Sequence, residues 1–99
     1  MTYSLRRVSD GAGDSGPMSV AIGYAENGTI FYEDHGRPRV GVAMRVGSWL
    51  ARTYDPQDWW QTTFITEIIE NNIVTEGTAI VGREIRFKTK NSEYIWKEF

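Results

Sequence analysis

Ser15 lies in Gly13-Asp14-Ser15-Gly16-Pro17 and offers a hydroxyl, and His35 follows Glu33 and Asp34, carboxylates able to orient an imidazole as a base. Acyl-transfer chemistry asks for more: a base, an acid behind it, and an oxyanion hole in a rigid frame. The chain has a single His, set beside Gly36 and one turn from Pro38, so an exposed turn residue is the expectation there. Asp10 and Asp14 could offer oxygens to Ca²⁺, but the alternate-position ligands and the distal Glu of an EF-hand loop are missing. No Cys is present, which excludes disulfides, thiolate zinc sites and a Cys nucleophile. The sequence therefore points away from an enzyme. It assigns no catalytic, cofactor-binding or metal residues and implies no cofactor, and an enzyme built on His35 stands only as an alternative.

Two other groups carry binding chemistry. Arg86, Lys88, Lys90 and Lys97 form a basic cluster near Tyr94 and Trp96, a composition that suits single-stranded nucleic acid when aromatics stack on bases and cations follow phosphates. Glu84, Glu93 and Glu98 interleave these cations, so a solvated strand face competes with that reading. The second group is Trp49, Arg52, Tyr54, Trp59 and Trp60. Trp, Tyr and Arg are enriched at binding hot spots, and adjacent Trp59 and Trp60 must point to opposite faces of any strand they occupy. These five residues are the candidate contact with a protein partner.

The elements that position these groups are strands. In 99 residues, Val, Ile and Thr number 25, against two Leu and six Ala, and β-branched side chains fit a pleated surface better than a helix. Eleven basic and thirteen acidic residues leave a net charge of −2, so no global field draws the chain to nucleic acid or membrane. No run approaches the ~20 apolar residues of a membrane-spanning helix, and the amino-terminal stretch lacks the apolar core of a signal peptide, which implies a cytoplasmic protein with no membrane partner.

Along the chain, residues 2–8 read as a strand and Asp10–Pro17 as a flexible Gly/Asp loop, so that residues 1–17 precede a single β domain at 18–99. Asn27-Gly28 between two apolar runs predicts a hairpin that pairs Ile22 with Glu33 and Tyr24 with Phe31. Residues 39–46 alternate as a strand, a bent continuation is expected at 49–54, and residues 55–58 form a turn. Residues 59–71 are ambiguous. They are rich in Thr and Ile, yet Asp58 and Gln61 could cap a helix at about 58–71, with Asn71-Asn72 ending either element. A last hairpin turns at Asn91-Ser92, setting Phe87 opposite Trp96, with Ile85, Phe87 and Thr89 on one face and Arg86, Lys88 and Lys90 on the other.

Residues 60–68 (WQTTFITEI) and 87–94 (FKTKNSEY) resemble short uncharacterised bacterial and phage β-barrel proteins in which a W-x-T-S/T-x-V/I-T-x-I strand precedes a T-x-N-S-x-Y hairpin. The resemblance covers the second half of the chain. It implies a fold rather than an activity, and it favours the strand over the helix.

The expectation is an all-β or nearly all-β protein: a small antiparallel barrel or roll of six to eight strands, SH3-like, with an α+β arrangement as the alternative. Aromatic excess without a catalytic set implies a non-enzymatic module that binds another protein, self-association and a homodimer included. A phage or mobile-element protein modulating a host factor is the specific form of that reading. Single-stranded nucleic-acid binding is the alternative.

Overall fold

The computed structural model describes residues 2–24, 27–47 and 59–99. They form nine antiparallel strands and no helix: β1 (Tyr3–Arg7), β2 (Gly13–Gly16), β3 (Met18–Tyr24), β4 (Ile30–Asp34), β5 (Ala43–Gly47), β6 (Trp59–Gln61), β7 (Ile65–Glu76), β8 (Ala79–Thr89) and β9 (Glu93–Glu98). The chain is all-β, and the α+β alternative fails over residues 59–61 and 65–76, which are extended. The strands make two open sheets, ordered β2-β1-β9-β8-β7 and β4-β3-β5-β6, rather than the one closed barrel of an SH3-like fold, and their number exceeds the six to eight expected.

The two sheets stack face to face. Leu5, Ile65, Ile85, Phe87, Tyr94 and Trp96 of the larger sheet meet Ala21, Val42, Met44 and Val46 in the main core. Alternation selects these residues: Ile85, Phe87 and Thr89 are buried on β8, while Lys88 between them is exposed. Phe87 and Tyr94 stack with ring centroids 5.6 Å apart. A smaller cluster of Met18, Val20 and Ile22 lies on the other face of β3 and takes in part of Tyr24 and Trp59. β3 is thus buried on both faces, although its sequence alternates Val and Ile with Ala and Gly as a one-sided strand would.

The chain changes sheets between β6 and β7, next to β5. Thr62 donates its backbone N–H to the Met44 carbonyl at 2.9 Å, and Ile65 does the same to Val42. The buried Thr62 hydroxyl accepts from the Met44 N–H and donates to the Thr63 carbonyl, so this polar group inside the crossing is satisfied.

Several sequence expectations are corrected here. Asp10–Pro17 is not simply a loop: Gly13–Gly16 is β2, paired with β1, and β1 in turn pairs with β9, so both strands belong to the larger sheet. Arg7 clasps Asp10 across the intervening turn, and the Asp10 carboxylate accepts the Ala12 N–H, which returns the chain onto β1. In the first hairpin Ile22 pairs with Glu33 as expected, but a bulge after Gly23 pairs Tyr24 with Ile30 rather than Phe31. The strand expected at 39–46 begins only at Ala43, with Gly41 at φ +95 and Val40 exposed. In the last hairpin Phe87 pairs with Tyr94 and Ile85 with Trp96, two residues away from the expected register. The reason is a displaced turn: the Thr89 N–H donates to the Ser92 carbonyl at 2.9 Å, so that Lys90-Asn91 rather than Asn91-Ser92 form its centre. The strand and turn expected at 49–58 lie outside the described residues.

The largest departure concerns Asn71-Asn72, expected to end the element before them. β7 runs straight through both to Glu76, with Asn71 opposite Ile85 and Asn72 opposite Glu84. Asn71 is held in the ladder by Arg83, whose guanidinium donates to its side-chain oxygen at 2.6 Å.

Candidate functional site

The β7–β8 hairpin outgrows the body. β7 has 12 residues, which at ~3.3 Å each span roughly 40 Å, in a molecule whose long dimension is 47 Å. β9 ends opposite Arg83, so beyond that point β8 has β7 on one side and, among the described residues, no strand on the other. Ile73-Val74-Thr75 and Ala79-Ile80-Val81 supply β-branched strand residues, and Gly77-Thr78 turns between them, with Glu76 opposite Ala79. Gly77 has φ +63, as the first position of a type II′ hairpin turn requires.

This arm carries large, exposed apolar side chains. Ile73 is 50 % exposed, Val74 40 %, Ile80 70 % and Val81 43 %, and Phe99 at the arm's base is 58 % exposed. Two hollows flank the place where the arm leaves the body. One, of about 400 Å³, is bounded by Val74, Val81, Lys97 and Phe99; the other, of about 260 Å³, by Arg37, Ile80, Arg83 and Phe99. Sequence reasoning missed the arm because Asn71-Asn72 was given the role of a stop. The available signal was Gly77-Thr78 between two short β-branched runs.

The Trp surface is only partly assembled. Trp59 and Trp60 sit on β6 opposite Gly47 and Val46, both half-buried, and they do point to opposite faces. Trp60 packs on the main core and Trp59 on the smaller cluster. Each is covered by a guanidinium, Arg7 at 5.4 Å from the Trp60 ring and Arg45 at 4.6 Å from that of Trp59. Arg45 also donates to Gln61, whose amide donates to the Tyr24 hydroxyl at 2.6 Å. These contacts tie the two Trp rings into the fold. Trp49, Arg52 and Tyr54 lie outside the described residues.

The basic cluster is not brought together with a stacking surface. Lys88, Lys90 and Lys97 are exposed, but Arg86 is ion-paired with Glu93, Lys88 faces Glu93, and Lys97 faces Glu84. Phe87, Tyr94 and Trp96 are buried. On that exposed face, cations of β8 and β9 alternate with carboxylates.

The His35 group is dispersed as well. His35 and Glu33 are exposed, and the Asp34 carboxylate is engaged by Arg39 at 2.7 Å and by the Gly36 N–H at 2.7 Å rather than by the imidazole. Those donors, Arg39 foremost, hold the Asp34 carboxyl below its usual range. Ser15, on β2, accepts from Arg6. Among the described residues no three His, Asp or Glu side chains gather as a metal would require, and no helix is long and apolar enough to cross a membrane.

The chain matches no family model, no curated protein and no solved structure.

Proposed function

We propose that this protein is a non-enzymatic β module that binds protein, and that the β7–β8 arm is its contact surface. One observation carries the reading: Ile73, Val74, Ile80 and Val81 stand exposed along a two-stranded projection. Isolated two-stranded ribbons are marginal in water, and exposed apolar strand edges are an aggregation hazard that natural proteins avoid. An arm of this composition is consistent with a working state in which protein covers it. Scattered apolar residues need no such explanation, but here they gather on one hairpin and coincide with an open stretch of ladder.

The half-buried Trp59 and Trp60, each capped by an arginine, support the packing of the second sheet and are not the primary contact in this reading. A photo-crosslinking residue placed at position 80 of the full chain, in its native cell, provides the test, with the same residue at exposed position 35 as the control. A protein adduct at 80 that is absent at 35 supports the proposal. No adduct at 80, or equal yields at both positions, removes it.

A further inference from the structure

The molecule has two exposed ladder edges on its arm, and the sequence treats them differently. On the arm the outer edge, β7, carries Glu76, and its pairing with β8 shifts register between Val74 and Thr75. Charges and bulges are the devices by which strands avoid pairing with other chains. The opposite edge, Ala79–Gly82 of β8, has neither charge nor Pro, and the whole tip from Gly77 to Gly82 is uncharged. It is the longest uncharged strand segment of the arm.

We infer that Ala79–Gly82 is where a second copy of this chain docks, by antiparallel pairing of the two β8 tips about a two-fold axis at Ile80. The inference rests on the protein-binding reading above and names its partner. A two-fold antiparallel pairing sets the residue on the axis against its own copy and the others against residues equally far along the same tip, and Gly-Thr-Ala-Ile-Val-Gly makes all of these pairs without a like-charge penalty. Pairing turns two marginal two-stranded ribbons into one four-stranded sheet, with main-chain hydrogen bonds on an edge that lacks them and the side chains of Ile80 and Val81 directed toward the hollows beside Phe99.

The experiment is analytical ultracentrifugation of the full chain and of two variants, Ile80→Lys and Ile80→Glu, alone and mixed. Ile80 is 70 % exposed, so both variants keep the wild-type fold, which circular dichroism verifies. The expected result is a wild-type species of twice the 11.3 kDa chain mass, a weakening of self-association by about a hundredfold in either variant alone, and recovery of the double-mass species in the equimolar mixture, since opposite charges then face each other. A wild-type chain that stays monomeric up to high concentration overturns the inference, as do variants that dimerise like wild type or a mixture that fails to recover. A position-80 adduct to a foreign protein, together with a monomeric wild type, overturns the second copy while the protein-binding reading stands.

Discussion

The indole N–H of Trp96 on β9 donates to the Ser19 hydroxyl on β3 at 2.9 Å, a hydrogen bond between the two sheets in which both residues are buried. Trp96 is among the largest fully buried side chains, and its one polar atom needs a partner that only the opposite sheet provides. This bond fixes how the sheets face each other, and therefore where the body ends and the arm begins. Ser19→Ala strands the indole N–H and is expected to cost about 1–3 kcal/mol in chemical denaturation, with Trp96→Phe in the same background recovering part of the loss relative to Trp96→Phe alone.

The base of the arm depends on a close approach. A side-chain carbon at Gly82 would lie 2.1 Å from the Glu98 carbonyl oxygen, a backbone atom that cannot swing aside. Gly82→Ala is accordingly expected to destabilise the protein by roughly 1–3 kcal/mol, and to loosen β9 from β8 in amide exchange first at Arg83 and Glu98.

At the other end of the larger sheet, Arg7 and its hydrogen bond hold the Asp10 carboxyl well below its ordinary value of 3.8, at about 2. A lowered carboxyl pKa contributes stability that is present above 3.8 and is lost as pH falls toward 2. An NMR titration should place the Asp10 midpoint near 2, and Arg7→Ala should return it to the ordinary aspartate range. Because the pair is exposed, the change in overall stability is small.

Trp60→Ala opens the main core and removes the ring beneath Arg7, so a loss of about 2–4 kcal/mol is expected by thermal or urea unfolding. Trp60 lies on the sheet remote from the arm tip. The folded fraction of this variant should therefore associate as the wild type does, which separates the Trp residues from the contact surface.

The sequence made the strand class legible because Val, Ile and Thr have few other places to go. It also made legible the inward set Ile85, Phe87 and Thr89, and the opposite faces taken by Trp59 and Trp60, since parity along a strand is a local property. What depended on distant partners was hidden. β2 reads as a loop until β1 is available to pair with it. Asn71 reads as a stop until Arg83 reaches across to hold it in the ladder. The last turn centres on Lys90-Asn91, one residue before the Asn-Ser pair that the sequence offered, because a Thr89–Ser92 bond closes it. The candidate site failed to emerge for the same reason. An apolar strand ordinarily means core, and only the end of β9 at Glu98 leaves Ile80 and Val81 outside it.

The most direct measurement is hydrogen–deuterium exchange of the Ala79–Gly82 amides as a function of protein concentration. The account predicts fast exchange in dilute solution and protection that grows with concentration, confined to the tip and the base around Phe99. Exchange at these amides that stays fast and does not change with concentration would contradict it.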